Sequence, residues 1–114
     1  MLAHEVLNLA LLKLDASAGE FLRKAVEKIL DSKQEEFSSS MESLNPSERM
    51  AVEILVRARG QSLLSKEVLQ EFGIAPSTLS KGLVRLQRKG VIFREGRTYQ
   101  FQDIFFERWL MRTL

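Results

Sequence analysis

The chain has 114 residues, of which 45% are hydrophobic and 28% charged, ordinary values for a soluble globular domain. Cysteine is absent, which excludes disulfides, a cysteine-based metal site and a thiol nucleophile. No apolar run approaches the roughly 18 residues needed to span a bilayer, so we expect no membrane contact and a cytoplasmic location. The net charge is only +2, but residues 1–44 carry five cations and eight anions whereas residues 45–114 carry twelve and seven. The second part is therefore the candidate to meet an anionic partner.

Apolar residues at helical spacing predict a helix over residues 2–14 and a second helix over residues 20–37, separated by a short break. The serine-rich stretch that follows reads as a frayed helix end or a linker. We place a domain boundary there, with an N-terminal helical segment over residues 1–43, forming a helical hairpin, and a second domain over residues 44–114. His4 is the only histidine, and the chain has no cysteine or second histidine that could bind a metal ion with it. We therefore expect His4 to have a packing or surface role and predict no metal site.

The second domain opens on a strong helix start. Asn45 can cap the helix, Pro46 suits its first position, and Glu48 stands where a capping box needs it. Gly60 is placed to follow the end of this helix. A short second helix is predicted from a cap at Ser65.

A third helix is predicted from Ser77 to Lys89, with leucines spaced along one face. Two extended stretches then flank a tight turn at Gly96, and Asp103 caps a terminal helix whose aromatic residues, Trp109 included, we expect to pack against the hairpin. Three helices followed by a two-stranded hairpin predict a mainly α fold, a winged helix-turn-helix with a small β wing.

The third helix is the predicted contact with double-stranded DNA, because its inward leucines would leave hydroxyl and basic side chains outside. Gly82 is expected to face outward too and to let DNA approach closely. Cations at the carboxyl end of the helix also interact favourably with the helix dipole, which needs no ligand. The alternative to DNA contact is therefore a basic face that is only exposed to solvent. The predicted DNA-binding residues are Ser77, Thr78, Ser80, Lys81, Arg85, Arg88 and Lys89 on the helix and Arg94 and Arg97 on the wing.

Enzyme motifs are missing from the sequence. There is no phosphate-binding loop, no G-x-S-x-G, no H-E-x-x-H and no paired-carboxylate arrangement. We therefore expect a protein that is not an enzyme and has no cofactor and no small-molecule substrate.

Three stretches resemble one known group: "LNPSERMAVEILVRARG", "STLSKGLVRLQRKGVIFREGRTYQF" and "DIFFERWL". Together they look like the C-terminal winged-helix domain of prokaryotic, chiefly archaeal-type, AAA-type ATPases of the STAND-like and origin-recognition-related kind. The resemblance covers roughly residues 44–112, and "LAHEVLNLAL" at residues 2–11 is similar to the helical lid that precedes that domain. It implies the tail of a longer ATPase, with the end of the lid followed by the winged helix and without the nucleotide-binding part. It also implies the same DNA-facing residues, from Ser77 to Arg85 on the helix, with Arg94 and Arg97 on the wing.

Three functional readings stay open at this point. The first is a DNA-binding module, and the second is a protein-interaction module that docks on an ATPase core or another partner through its apolar terminal helix. The third is a free-standing transcription regulator that forms a homodimer through residues 1–37.

Overall fold

The structure, a computed structural model, describes residues 20–114. The predicted helix over residues 2–14, the break after it and His4 lie outside the described residues. The elements in chain order are α1 (Glu20–Ser32), α2 (Gln34–Glu42), α3 (Pro46–Arg57), α4 (Lys66–Phe72), α5 (Pro76–Arg88), β1 (Ile92–Glu95), β2 (Thr98–Phe101) and α6 (Ile104–Thr113). This is the mainly helical winged-helix architecture that the sequence predicts.

Local capping signals set the helix starts, as expected. The Asn45 side chain accepts a hydrogen bond from the Glu48 N–H at 2.8 Å, and the Glu48 carboxylate accepts one from the Asn45 N–H at 3.0 Å, which completes the predicted capping box of α3. Ser65 caps α4 through the Val68 N–H, and Asp103 caps α6. Each cap satisfies backbone donors that have no partner within the helix, and such caps typically stabilise by about 1 kcal/mol.

The third helix of the winged helix, α5, packs on α3 through its leucines. Leu79, Leu83 and Leu86 are all fully buried, which confirms the inward face predicted from their spacing. Gly82 is also buried: a Cβ built there would lie 3.0 Å from the Ser47 carbonyl oxygen and 3.2 Å from the Ala51 Cβ. The prediction that Gly82 faces outward toward DNA is therefore wrong. The missing side chain lets α5 approach the backbone of α3.

The wing is a two-stranded antiparallel sheet in which Ile92 faces Phe101 and Glu95 faces Thr98. The loop after α3 adds one more backbone contact to it, because the Gly60 carbonyl accepts a hydrogen bond from the Tyr99 N–H at 3.0 Å. Gly60 has a left-handed φ of 74°, and a Cβ there would collide with the Tyr99 carbonyl oxygen. Gly60 therefore does more than end α3: it lets the chain pass directly against the wing.

The serine-rich stretch after residue 33 is neither a linker nor a frayed end. It forms α2, and Lys33 separates α2 from α1 where one continuous helix over residues 20–37 was predicted. Phe37 of α2 is buried, and its ring lies 5.3 Å from the Phe106 ring and 5.7 Å from the Trp109 ring. The segment after Lys33 is therefore part of the hydrophobic core.

Helix α6 joins the wing to the N-terminal helices. Phe106 meets Phe101 of β2 edge-on, whereas Trp109 stacks on Phe106 and donates its indole N–H to Gln34 Oε1 at 2.6 Å. The expected packing of the terminal aromatic residues against the wing holds for Phe106, but Trp109 packs on α2. The core is therefore continuous from the wing through α6 to α2.

Candidate nucleic-acid interface

Helix α5 carries most of the predicted site residues on or beside its outer face. Burial of its leucines turns Ser77, Thr78, Lys81 and Arg85 to solvent, as predicted, with Ser80 half-buried at the edge. At 3.6 residues per turn, side chains at spacings of four, three and four lie along one line of a helix. The residues of this line are Ser77, Lys81, Val84 and Arg88, all exposed.

The cations on this face carry charges that the protein does not balance by contact. Within residues 20–114, Lys81, Arg85 and Arg88 form no ion pair. Two basic residues elsewhere are paired: Arg57 with Glu53 one helical turn before it, and Arg112 with Asp31 on α1. Unpaired cations concentrated on one helix face are available to an external anion.

Lys89 differs from the other predicted site residues. Its ammonium lies 2.8 Å from one carboxylate oxygen of Glu48 and 3.0 Å from the other, and the Glu48 side chain is only 1% exposed. Burial raises the pKa of Glu48, but the hydrogen bonds from Lys89 and from the Asn45 backbone, with the charges of Lys89 and Arg85, bring that pKa below its usual value of 4.5. The charge of Lys89 is thus balanced inside the fold, where it ties the end of α5 to the start of α3.

The amino end of α5 leaves backbone donors unused. The N-cap residue is Ala75, and no described side chain caps the helix, in contrast to α3, α4 and α6. The N–H groups of Ser77 and Thr78 stand in the first turn next to their own hydroxyls, and both residues are exposed. Free N–H groups at a helix start, with the positive end of the helix dipole, favour a phosphate oxygen.

The two predicted wing arginines have different surroundings. Arg94 donates from Nε to the Gly96 carbonyl at 2.9 Å, and its guanidinium lies 5.8 Å from the centre of the Tyr99 ring. Arg94 therefore shapes the wing tip while its remaining N–H groups stay exposed. Arg97 stands exposed at the turn itself.

Val84 was not among the residues predicted from the sequence, yet it lies on the central line of the α5 face. Its side chain is 44% exposed, and it lines a shallow hollow with Ser80, Lys81, Arg85 and Arg88. The signal was present in the sequence, because Val84 stands three residues after Lys81 and four before Arg88. The prediction selected only charged and hydroxyl side chains and therefore omitted Val84.

Helix-turn-helix, wing and an exposed basic third helix define the class: this is a winged-helix domain. Residues 35–112, well over half of the chain, match the family model described as a probable winged helix domain, and the chain belongs to that family. The match begins inside the segment that we assigned to the N-terminal helices and therefore includes almost all of α2. No curated protein and no solved structure matches the chain.

Two further properties bear on function. Residues 20–114 hold no cluster of side chains suited to bind a metal ion. None of the helices in this part of the chain is long and apolar enough to cross a membrane.

Proposed function

We propose that this protein binds duplex DNA, with α5 in the major groove and the wing against the neighbouring backbone. The observation that carries the proposal is the set of three unpaired cations, Lys81, Arg85 and Arg88, on the exposed face of α5. The major groove of B-DNA is about 12 Å wide and accepts one α-helix. The proposed role is binding and not catalysis.

The site residues divide into two roles. The hydroxyl and N–H groups of Ser77 and Thr78 bind a phosphate at the helix start, which sets the register of α5 on the duplex. Lys81, Arg85 and Arg88 bind phosphates or guanine edges farther along the groove. On the wing, Arg97 and the free N–H groups of Arg94 reach the sugar–phosphate backbone, because a two-residue turn is too short for deep insertion into the minor groove. Lys89 contributes indirectly by holding α5 on α3.

The test is a fluorescence-anisotropy titration with labelled duplex DNA at several salt concentrations. About four phosphate contacts predict that log K falls with log salt at a slope of roughly −3 to −4. Reversing two charges, with Lys81→Glu and Arg85→Glu together, should weaken binding by about tenfold or more and flatten that slope.

The matched control reverses two exposed cations elsewhere. Lys24 and Lys28 lie exposed on α1, so the double variant Lys24→Glu, Lys28→Glu makes the same charge change on another helix. It should leave the affinity within about twofold, because exposed charges beyond a Debye length are largely screened. Equal weakening by both variants, or no duplex binding by the native protein, would refute the proposal.

A second candidate function, docking on a protein partner, has one observation in its favour. Apolar side chains of α1 stay in water: Phe21 is 82% exposed, Leu22 38% and Ile29 39%. The apolar terminal helix that we expected to serve this purpose buries Ile104, Phe106, Trp109 and Leu110 in the hydrophobic core of the protein. Sedimentation velocity over a concentration series tests homodimer formation, and a monomer throughout would remove that form of the hypothesis.

We also propose an ATPase context, supported by the sequence resemblance alone. The family match concerns the winged helix and carries no information about an ATPase. The observation that tests this proposal is the reading frame upstream of Met1, where an ATPase would encode a G-x-x-x-x-G-K-[ST] loop.

A further inference from the structure

Val84 is an apolar side chain on a face that is otherwise polar or charged. It is the only large hydrophobic residue of α5 that stays exposed, while the three leucines of the helix are buried. The exposed polar or charged residues that line the hollow around it include Lys81, Arg85 and Arg88. A partner that matches this face would place an apolar group against Val84 and negative charges against the surrounding cations.

Core packing does not explain a valine at this position. Val84 is 44% exposed and lies outside the buried core. A β-branched residue also lowers helix propensity relative to alanine, by a few tenths of a kcal/mol at an exposed site.

The major groove of DNA offers the matching feature. Thymine is the only standard base whose major-groove edge carries a methyl group, and apolar side chains contact that C5-methyl group in known complexes. Phosphates line both sides of the groove, where the cations around Val84 would meet them. We propose that Val84 is a specificity-determining residue that contacts the C5-methyl group of one thymine in the binding site. This inference rests on the proposed DNA-binding function and extends it to base readout.

The test begins with selection of a preferred duplex from a random-sequence library by the native chain. Each thymine of that duplex is then replaced singly by deoxyuracil, which removes the methyl group and keeps the base pair. One position should weaken binding by about threefold to fivefold, the effect of losing one buried methyl contact. Val84→Ala should weaken binding to the thymine duplex by a similar factor and should be insensitive to deoxyuracil at that position.

The four affinities form a double-mutant cycle, which isolates the contact from any general effect of either change. Met111→Ala is the matched control, because it truncates an apolar side chain of comparable exposure on α6 and should keep the full thymine preference. Circular dichroism of each variant establishes that it is folded.

The possible results separate the two proposals. Selective, salt-dependent binding with the same deoxyuracil penalty in the native chain and in Val84→Ala overturns the role of Val84 and leaves the DNA-binding proposal standing. Binding without any selected sequence also overturns the role of Val84. The absence of duplex binding by the native chain overturns the proposed function, and the inference falls with it.

Discussion

Removing the buried charge of Glu48 should destabilise the protein, because this side chain takes part in the start of α3 and in its contact with the end of α5. Its carboxylate closes the capping box of α3 and accepts the ammonium of Lys89 from the end of α5. Glu48→Gln keeps an oxygen for the cap but loses the ion pair. Breaking a fully buried pair costs about 3–5 kcal/mol, yet here the partner is 44% exposed and can turn to water. We therefore expect Glu48→Gln to lower the free energy of unfolding by about 1–2 kcal/mol, less than the cost for a fully buried pair because Lys89 can reach water.

Glu48→Ala should cost more, about 2–4 kcal/mol, because it also removes the acceptor of the Asn45 N–H and leaves a void. Thermal unfolding followed by circular dichroism measures both losses, with a shift of about 4–8 °C per kcal/mol for a domain of this size class. Glu53→Gln is the matched control on the same helix. Its partner is Arg57, and the two side chains are 38% and 53% exposed, so the effect should stay within about 0.5 kcal/mol.

The dependence on pH provides a second readout of the same carboxylate. The pKa of Glu48 is lowered in the folded protein, so its contribution is present above the ordinary value of 4.5 and is lost as the pH falls through the lower folded value. The difference in unfolding free energy between the native protein and Glu48→Gln should therefore shrink as the pH falls below 4.5. If Glu48→Gln were as stable as the native protein at pH 7, or if its deficit did not change in acid, the assigned role of this ion pair would be refuted.

Three further predictions concern backbone positions and one cap. Gly60→Ala should lower the free energy of unfolding by about 2 kcal/mol or more, because the alanine would need a left-handed φ and would collide with the Tyr99 carbonyl oxygen. Chemical denaturation measures this loss, and an unchanged denaturation midpoint would contradict the prediction. Gly82→Val should lower the free energy of unfolding by about 1–3 kcal/mol, because the added side chain overpacks the contact with α3. The DNA affinity of the folded molecules should stay unchanged in anisotropy titrations. A loss of affinity without a loss of stability would instead place Gly82 at the DNA. Asp103→Ala should remove the cap of α6 and cost about 1 kcal/mol in thermal unfolding, whereas Asp103→Asn should recover most of it.

Local chemistry made much of the fold predictable. The caps at Asn45, Ser65 and Asp103 act on N–H groups two or three residues away, so the residues that make each bond are neighbours in the sequence. The leucine spacing of α5 predicts its buried face in the same way, and with it the exposure of Lys81 and Arg85. Within the candidate site, polar and charged residues were selected by type, which is why Val84 was passed over.

Other assignments depended on which helix packs against which, and no local pattern contains that information. Gly82 faces α3 and not the outside, at a point where a Cβ would lie 3.0 Å from the Ser47 carbonyl oxygen. From the sequence, Lys89 is predicted to be a free cation. In the structure it pairs with Glu48, which lies 41 residues earlier in the chain. Trp109 finds its hydrogen-bond partner on α2, at a separation of 75 residues. The sequence by itself therefore determined the helices of the winged helix, their amino-terminal caps and the basic face of α5. Only the tertiary structure decided which side chains on that face stay free, because burial and ion pairing are properties of residues brought together from distant parts of the chain.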